Sequence, residues 1–221
     1  TDWNGTDTFT YKVNDGTVDS NTATVTITVD AVNDAPVTQN QSASTNEDTA
    51  VTKTLSVVDV DTQQGMTRSI VSNPSNGSVV LTGSGSQIAT YTPNANWNGT
   101  DTFTWKANDG TVDSNISTMT ITVNAVNDAP TTDGGKTYST PKTTSINITL
   151  GGNDIDGDAL SYIITEDNVT SSGHATLSLA GNVATITPTS DPSTNISVNF
   201  RYKVNDGNLD SDEANVITYI T

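Results

Sequence analysis

Residues 97–114 read WNGTDTFTWKANDGTVDS, and residues 3–20 read WNGTDTFTYKVNDGTVDS. They differ only at Tyr11/Trp105 and Val13/Ala107. The match resumes at AVNDAP, residues 31–36 and 125–130, so the chain repeats every 94 residues. TFTYKV at 8–13 and TATVTITV at 22–29 alternate apolar and polar side chains, the period of a strand with one buried face. STMTITV at 117–123 and SINITL at 145–150 do the same. The 42 threonines suit the outer faces, being β-branched and polar. NDG, NG and GSG turn signals separate the runs, and no segment sustains a period of 3.6. About seven short strands in roughly 90 residues predict an all-β immunoglobulin-like Greek-key sandwich. Trp3 and Trp97, leading into strand pairs, read as packing residues.

A third, diverged copy follows. FRYKVNDGNLDS at 200–211 matches FTWKANDGTVDS at 103–114, VATITP at 183–188 matches IATYTP at 88–93, and NDIDGD at 153–158 echoes VDVDTQ at 58–63. Residues 1–30 are therefore the last two strands of one repeat, 37–124 a complete repeat and 131–221 a diverged complete one. Linkers at 31–36 and 125–130 join them, and Pro36 and Pro130 stop strand continuation. The chain begins mid-pattern and reads as a fragment of a longer protein.

Composition narrows the functional classes. The chain has 221 residues, a net charge of −17, no cysteine and one histidine. Without cysteine there is no disulfide scaffold, thiolate metal site or thiol catalysis. Such an acidic chain is unsuited to nucleic acid, whose binding runs on Lys and Arg contacts to phosphate. No run of 18 apolar residues offers a membrane helix. His174, beside a turn glycine, reads as exposed and idle, and one histidine gives no plausible Ser–His–Asp relay. A glycosidase needs two carboxyls at a set distance across a cleft, whereas the acids here recur in repeated loops. The reading is non-enzymatic.

The acids comprise 22 Asp and only 3 Glu. Turn chemistry explains part of this, because Asp and Asn hydrogen-bond their own backbone. Calcium explains it differently: a hard cation takes six to eight oxygens from carboxylates, amides and carbonyls. Net charge is −5 over 37–130 (8 acids, 3 bases) and −7 over 131–221 (11 acids, 4 bases). Such clustering repels itself unless a cation neutralises it. Asp154, Asp156 and Asp158 are not an EF-hand: Gly157 falls at position four and Thr165 at twelve, where that loop needs Gly at six and Glu at twelve.

The string NED (46–48), DVD (59–61), YTP (91–93), NWNGTDTF (96–103), NDG (108–110) and VNDAP (126–130) resembles the cadherin family. It is more closely similar to the bacterial cadherin-like tandem repeats of large secreted, RTX-type or biofilm surface adhesins. The resemblance covers the whole chain, in full for 37–130 and in part for 131–221. It implies Ca²⁺ at the joints between sandwiches. The later joint would use Glu47, Asp101, Asn127 and Asp128 with Asp154, Asp156 and Asp206. The earlier one would use Asp7, Asn33, Asp34, Asp59, Asp61 and Asp109. The linker departs from cadherin spacing by about one residue, leaving either Asn33 or Asp34, and either Asn127 or Asp128, as the side-chain ligand. In the last repeat Lys142 stands where the middle one has Glu47, and Val198 where it has Asp101. That repeat keeps the ligands facing its predecessor and lacks those that would face a successor.

The function this implies is a calcium-stiffened extracellular spacer, on the cell surface or secreted. Its partners would be neighbouring repeats of the same chain, and a host-cell or matrix ligand would be met outside these residues. Two alternatives stand beside it. Residues 1–30 could complete another copy's sheet by strand addition, giving a matrix fibre. The diverged repeat 131–221, whose novelty is loop sequence such as EDNVTSSGH at 166–174, could bind a carbohydrate or protein ligand.

Overall fold

The computed structural model describes residues 2–61, 65–189 and 195–221. Thr62 and Gln63, at the end of the VDVDTQ motif, lie outside them. The chain divides into two compact units, Thr1–Ala125 and Val126–Thr221. No helix among the described residues is long and apolar enough to cross a membrane.

The first unit opens with an antiparallel hairpin, β1 (Gly5–Tyr11) and β2 (Ala23–Val29). A sandwich follows: β3 (Val37–Thr38), β4 (Gln41–Asn46), β5 (Val51–Thr54), β6 (Val57–Val58), β7 (Thr67–Ser72), β8 (Gly77–Thr82), β9 (Ile88–Pro93), β10 (Gly99–Asn108) and β11 (Ser117–Asn124). One sheet runs β4-β11-β10-β7 and the other β5-β9-β8, with β3 paired to β6. The first long strand, β4, pairs parallel to the last, β11, while the other pairs are antiparallel.

The second unit repeats this plan. Its strands are β12 (Thr131–Thr132), β13 (Lys136–Thr140), β14 (Ile146–Thr149), β15 (Gly152–Asn153), β16 (Ser161–Asp167), β17 (Ala175–Ala180), β18 (Val183–Pro188), β19 (Ile196–Asn205) and β20 (Ala214–Ile220). The sheets are β13-β20-β19-β16 and β14-β18-β17, with β12 on β15 and β13 parallel to β20. These are the tandem immunoglobulin-like sandwiches that alternation predicts. Short helical pieces lie outside the alternation: a 3₁₀ turn at Ser84–Ser86, and a single α-helical turn, α1 (Asn168–Ser171), inside EDNVTSSGH. Four residues are too few to show a 3.6 period. Asp167 caps the turn by accepting from the Thr170 N–H at 2.9 Å, and Val169 is fully buried beneath it. His174, just past the turn, is exposed.

Strand alternation builds the cores. In β10 and β11, Phe103, Trp105, Met119, Ile121 and Val123 point inward to meet Leu55, Ala89 and Tyr91. Phe200, Tyr202, Val204 and Val216 meet Ile148, Leu150 and Ile186 in the second unit. Trp97 packs on the first core, as its sequence position predicts. Its period mate Trp3 does not, being 55% exposed. Among the described residues no second sheet is paired across the face of β1–β2, so the same side chain has no core to enter.

Candidate functional site

The NDG loop is the best-repeated local structure. The motif K-x-N-D-G-x-x-D-S occurs at 12–20, 106–114 and 203–211. In each copy the lysine pairs with the second aspartate: Lys12 with Asp19, Lys106 with Asp113, Lys203 with Asp210. The asparagine donates to the other oxygen of that aspartate, from Asn108 to Asp113 and from Asn205 to Asp210 at 2.8 Å each. The first aspartate closes the turn. Asp109 Oδ1 accepts from the Thr111 and Val112 N–H groups at 2.6 and 2.8 Å, and Asp206 Oδ1 from Asn208 and Leu209 at 2.6 Å each. Turn chemistry thus accounts for one oxygen of each NDG carboxylate. In the hairpin, the Val18 N–H, the Thr17 hydroxyl and the Thr17 N–H bring Asp15 down to about 2.

The second oxygen does something the sequence only hinted at. Asn33 Nδ2 donates to Asp109 Oδ2 at 2.8 Å, and Asn127 Nδ2 donates to Asp206 Oδ2 at the same distance. The next linker residue is held as well: the Asp34 N–H donates to Asp61 Oδ2 at 2.7 Å, and that of Asp128 to Asp156 Oδ2 at 2.8 Å. Within the D-x-D pairs, Asp59 Oδ1 accepts from the Asp61 N–H at 3.0 Å, and Asp154 Oδ1 from Asp156 at 2.9 Å. Each linker is therefore clamped onto the repeat that follows it, with the same bonds at both places. The Asn33 amide, then the Val112 and Thr111 N–H groups, hold Asp109 below the ordinary carboxylate range. For Asp206 the Leu209 N–H leads, followed by Asn127.

Charge separates these acids from their neighbours. Asp19, Asp113 and Asp210 each have a lysine. Asp34, Asp59, Asp61, Asp109, Asp154, Asp156 and Asp206 have no ion pair among the described residues. Asp154 Oδ2 is a buried oxygen with no hydrogen-bond partner among the described residues. Beside the first linker, a cavity of about 210 Å³ is lined by Asp2, Asp30, Asp34 and Asp61 with Trp3 and Asn4. Asp2 and Asp30 were missed in the sequence, because their period mates are the amides Asn96 and Asn124. All donors here are hard oxygens, the type calcium takes. Among the described residues, however, no three His, Cys, Asp or Glu side chains converge closely enough to hold a metal ion.

The remaining candidates are placed elsewhere. Asp7 lies on exposed β1, and its carboxylate accepts from the adjacent Thr8 N–H. Glu47 is buried at the end of β4, where its N–H donates to the Asn124 carbonyl at 2.9 Å. Lys142 takes the corresponding place after β13, its N–H on the Thr221 carbonyl at 3.2 Å. Asp101 is 4% exposed. Its Oδ1 accepts from the Ser75 and Thr102 N–H groups at 3.1 and 2.8 Å, and its Oδ2 from the Asn76 N–H and the Tyr91 hydroxyl at 2.8 and 3.0 Å. A carboxylate has about four lone-pair positions, and all are taken. Asp101 thus ties down the loop before β8 and leaves no oxygen for a cation, contrary to the ligand role the resemblance implies. The last repeat confirms the pairing by replacing it: Ile186 stands for Tyr91, Val198 for Asp101, and α1 accepts the loop's N–H groups, with Ser172 donating to the Val169 carbonyl at 3.3 Å.

Comparisons with known proteins follow the same boundaries. The "Bacterial Ig domain" family model matches residues 33–122 and 127–218, each match beginning at a linker asparagine. Integrin beta-like protein A of Dictyostelium discoideum is 33% identical over 139 residues, which is 55% of this chain and 7% of that protein. The chain thus spans a small fraction of that curated relative. Among solved structures, protocadherin gammaB7 EC3-6 gives a TM-score of 0.49 at 19% identity, covering 91% of this chain and 56% of that one. Human mucin-like protocadherin EC1-2 gives 0.45 at 17%, covering 86% and 97%. An endo-fucoidan hydrolase of glycoside hydrolase family 107 gives 0.36 at 18%, covering 99% and 34%. With two family matches that together take in most of its length, this chain belongs to the bacterial Ig domain family.

Proposed function

We propose that these repeats are spacer modules of an extracellular adhesion-type protein, and that calcium fixes each linker to the repeat that follows it. The reading rests on one observation: both linkers bond in the same way to D-x-D and NDG carboxylates that no lysine or arginine neutralises among the described residues. Calcium would be held by Asn33 or Asp34 with Asp59, Asp61 and Asp109, and by Asn127 or Asp128 with Asp154, Asp156 and Asp206. It would supply positive charge to linker and loop acids that otherwise repel one another. The buried, unpartnered Oδ2 of Asp154 is the kind of oxygen such an ion would use.

The test is a calcium titration. Extracellular calcium modules bind at about 10⁻⁴–10⁻³ M. At roughly 10 mM calcium, linkage then gives about 1.4–2.7 kcal/mol of added stability. The melting temperature should rise in calcium and fall back in EGTA, and small-angle scattering should show a narrower distribution of shapes with the ion. Asp61→Asn combined with Asp156→Asn should abolish both responses. Identical melting and scattering in calcium and EGTA would refute the calcium reading.

The same clamps carry a pH expectation. Asp109 and Asp206 sit low in the folded chain, so their contribution is present above the usual carboxylate range and is lost as pH falls through their lowered values. Exchange protection of the Thr111 and Val112 N–H groups on Asp109, and of the Asn208 and Leu209 N–H groups on Asp206, should hold at neutral pH and fail in strong acid. Protection that persists in acid would mean these turns are held by something other than the two carboxylates.

A further inference from the structure

The two complete repeats differ at one end of the sandwich. Strands β7 and β16 hold the same place: Thr67 stands opposite Asn108 and Ser161 opposite Asn205, the asparagines of two NDG loops. Residues 83–87 join β8 to β9, whereas only Gly181 and Asn182 join β17 to β18. Both connections are anchored alike, the Leu55 N–H donating to the Gln87 carbonyl and the Leu150 N–H to the Asn182 carbonyl at 2.8 Å. The longer connection folds onto the entry to β7. A Cβ on Gly85 would come within 1.9 Å of the Met66 carbonyl oxygen. Arg68 donates to the Leu55 and Met66 carbonyls at 3.3 Å each. The recess left there is about 390 Å³, lined by Arg68, Ser84, Gly85 and Gln87 with the residues entering β7. In the last repeat Leu160 and Tyr162 replace Met66 and Arg68, and the short turn leaves them uncovered. The result is an open groove of about 570 Å³ lined by Leu160, Ser161, Tyr162, Leu179, Gly181 and Asn182. Leu160, Tyr162 and Leu179 are half-buried, whereas Met66 is buried. Its size and its mixture of apolar and polar groups suit a small-molecule site.

We infer that this groove binds one ring of a neutral sugar. None of its six lining residues is charged. The surrounding repeat carries −7, which opposes an anion, and the groove holds no carboxylate for a cation. A pyranose has an apolar C–H face and a rim of hydroxyls. The face fits Leu160, Leu179 and the Tyr162 ring. The rim fits the Ser161 hydroxyl and the Asn182 amide, which bonds inward only at 3.4 Å, to the Leu150 carbonyl. In the middle repeat the same place receives the uncharged, hydroxyl-bearing Ser84-Gly85-Ser86. A protein partner fits less well, since stable interfaces bury about 800 Å² on each side and six residues supply far less. The site lies at the other end of β16 and β17 from EDNVTSSGH and is independent of calcium.

Amide chemical shifts of the 221-residue chain in EGTA, titrated with the methyl glycosides of glucose, galactose, mannose and N-acetylglucosamine, test it. At least one glycoside should shift the amides of Ser161, Leu179, Gly181 and Asn182 saturably. For a ligand of this size Kd should be on the order of 1 mM. The amides of Ser84, Gly85 and Gln87 should not move. Asn182→Ala should weaken binding about three- to tenfold, as loss of one hydrogen bond does. Replacing Gly181 and Asn182 by the middle repeat's Gly-Ser-Gly-Ser-Gln should abolish binding and leave the β19–β20 amides where they were. If all four glycosides leave Gly181 and Asn182 unmoved at about tenfold that concentration, the inference is overturned. Binding that survives the longer turn, or that shifts the middle repeat equally, would overturn it too.

Discussion

Asp101→Ala is expected to cost the 37–124 repeat about 3 kcal/mol, because it leaves buried donors without an acceptor. The orphaned groups are the N–H of Ser75, Asn76 and Thr102, while the Tyr91 hydroxyl keeps only the Asn76 carbonyl at 3.3 Å. Trp105 is fully buried in this repeat and the second unit has no tryptophan, so denaturant unfolding followed by tryptophan emission isolates the effect. Tyr91→Phe should cost about 1 kcal/mol, since it removes one hydroxyl, which is shared between Asp101 Oδ2 at 3.0 Å and the Asn76 carbonyl at 3.3 Å. Asp101→Val with Tyr91→Ile copies the last repeat and should cost less than the two changes summed, because the residues are in contact. It should not restore full stability. The last repeat accepts its loop N–H groups with α1, and the middle repeat has no such turn before β8. Burial opposes the charge on Asp101, but the N–H groups of Asn76, Ser75 and Thr102 and the Tyr91 hydroxyl outweigh it, so the carboxyl sits below its ordinary value. Its stabilisation is therefore complete above the unfolded value of about 3.9 and disappears as pH falls through the folded one. Asp101→Asn should remove that part of the acid response. A variant as stable as the parent would show that the network is ornamental.

One phenylalanine, placed three times by the repeat, should give two different answers. Phe103 and Phe200 are 1% and 0% exposed, whereas Phe9 is 53% exposed. Phe103→Ala and Phe200→Ala should each cost about 3–5 kcal/mol, the transfer loss plus the cavity left in a close-packed core. Phe9→Ala should change stability by no more than about 0.5 kcal/mol, as surface substitutions do. Calorimetry of the three variants decides this. A large loss at Phe9 would show that the hairpin face is already covered in solution.

Much of the architecture could be read directly from the residues. Alternation in TATVTITV and STMTITV announced strands because side chains on a pleat alternate faces whatever lies beyond them. NDG announced turns because the asparagine and aspartate bond to backbone only two or three residues away. The Lys–Asp pair of each NDG loop was equally local and went unread, although its K-x-N-D-G-x-x-D-S signal stands in all three copies. The linker clamps were half legible: the repeat marked Asn33, Asp34, Asn127 and Asp128 as special. Their partners lie 27 to 79 residues away along the chain, so the pairing of each linker with the repeat after it needed coordinates. Asp2 and Asp30 were hidden because self-comparison highlights what recurs, and these two acids replace amides.

By itself the sequence determined the period, the strands, the turns and the positions of the acids, since all of these depend on neighbours a few residues away. Only the tertiary structure decided what each position is for. Asp7 and Asp101, and Phe9 and Phe103, are identical residues in identical local settings. They part company because burial and the filling of a carboxylate's lone pairs depend on what stands across the sheet, contributed by chain dozens of residues distant.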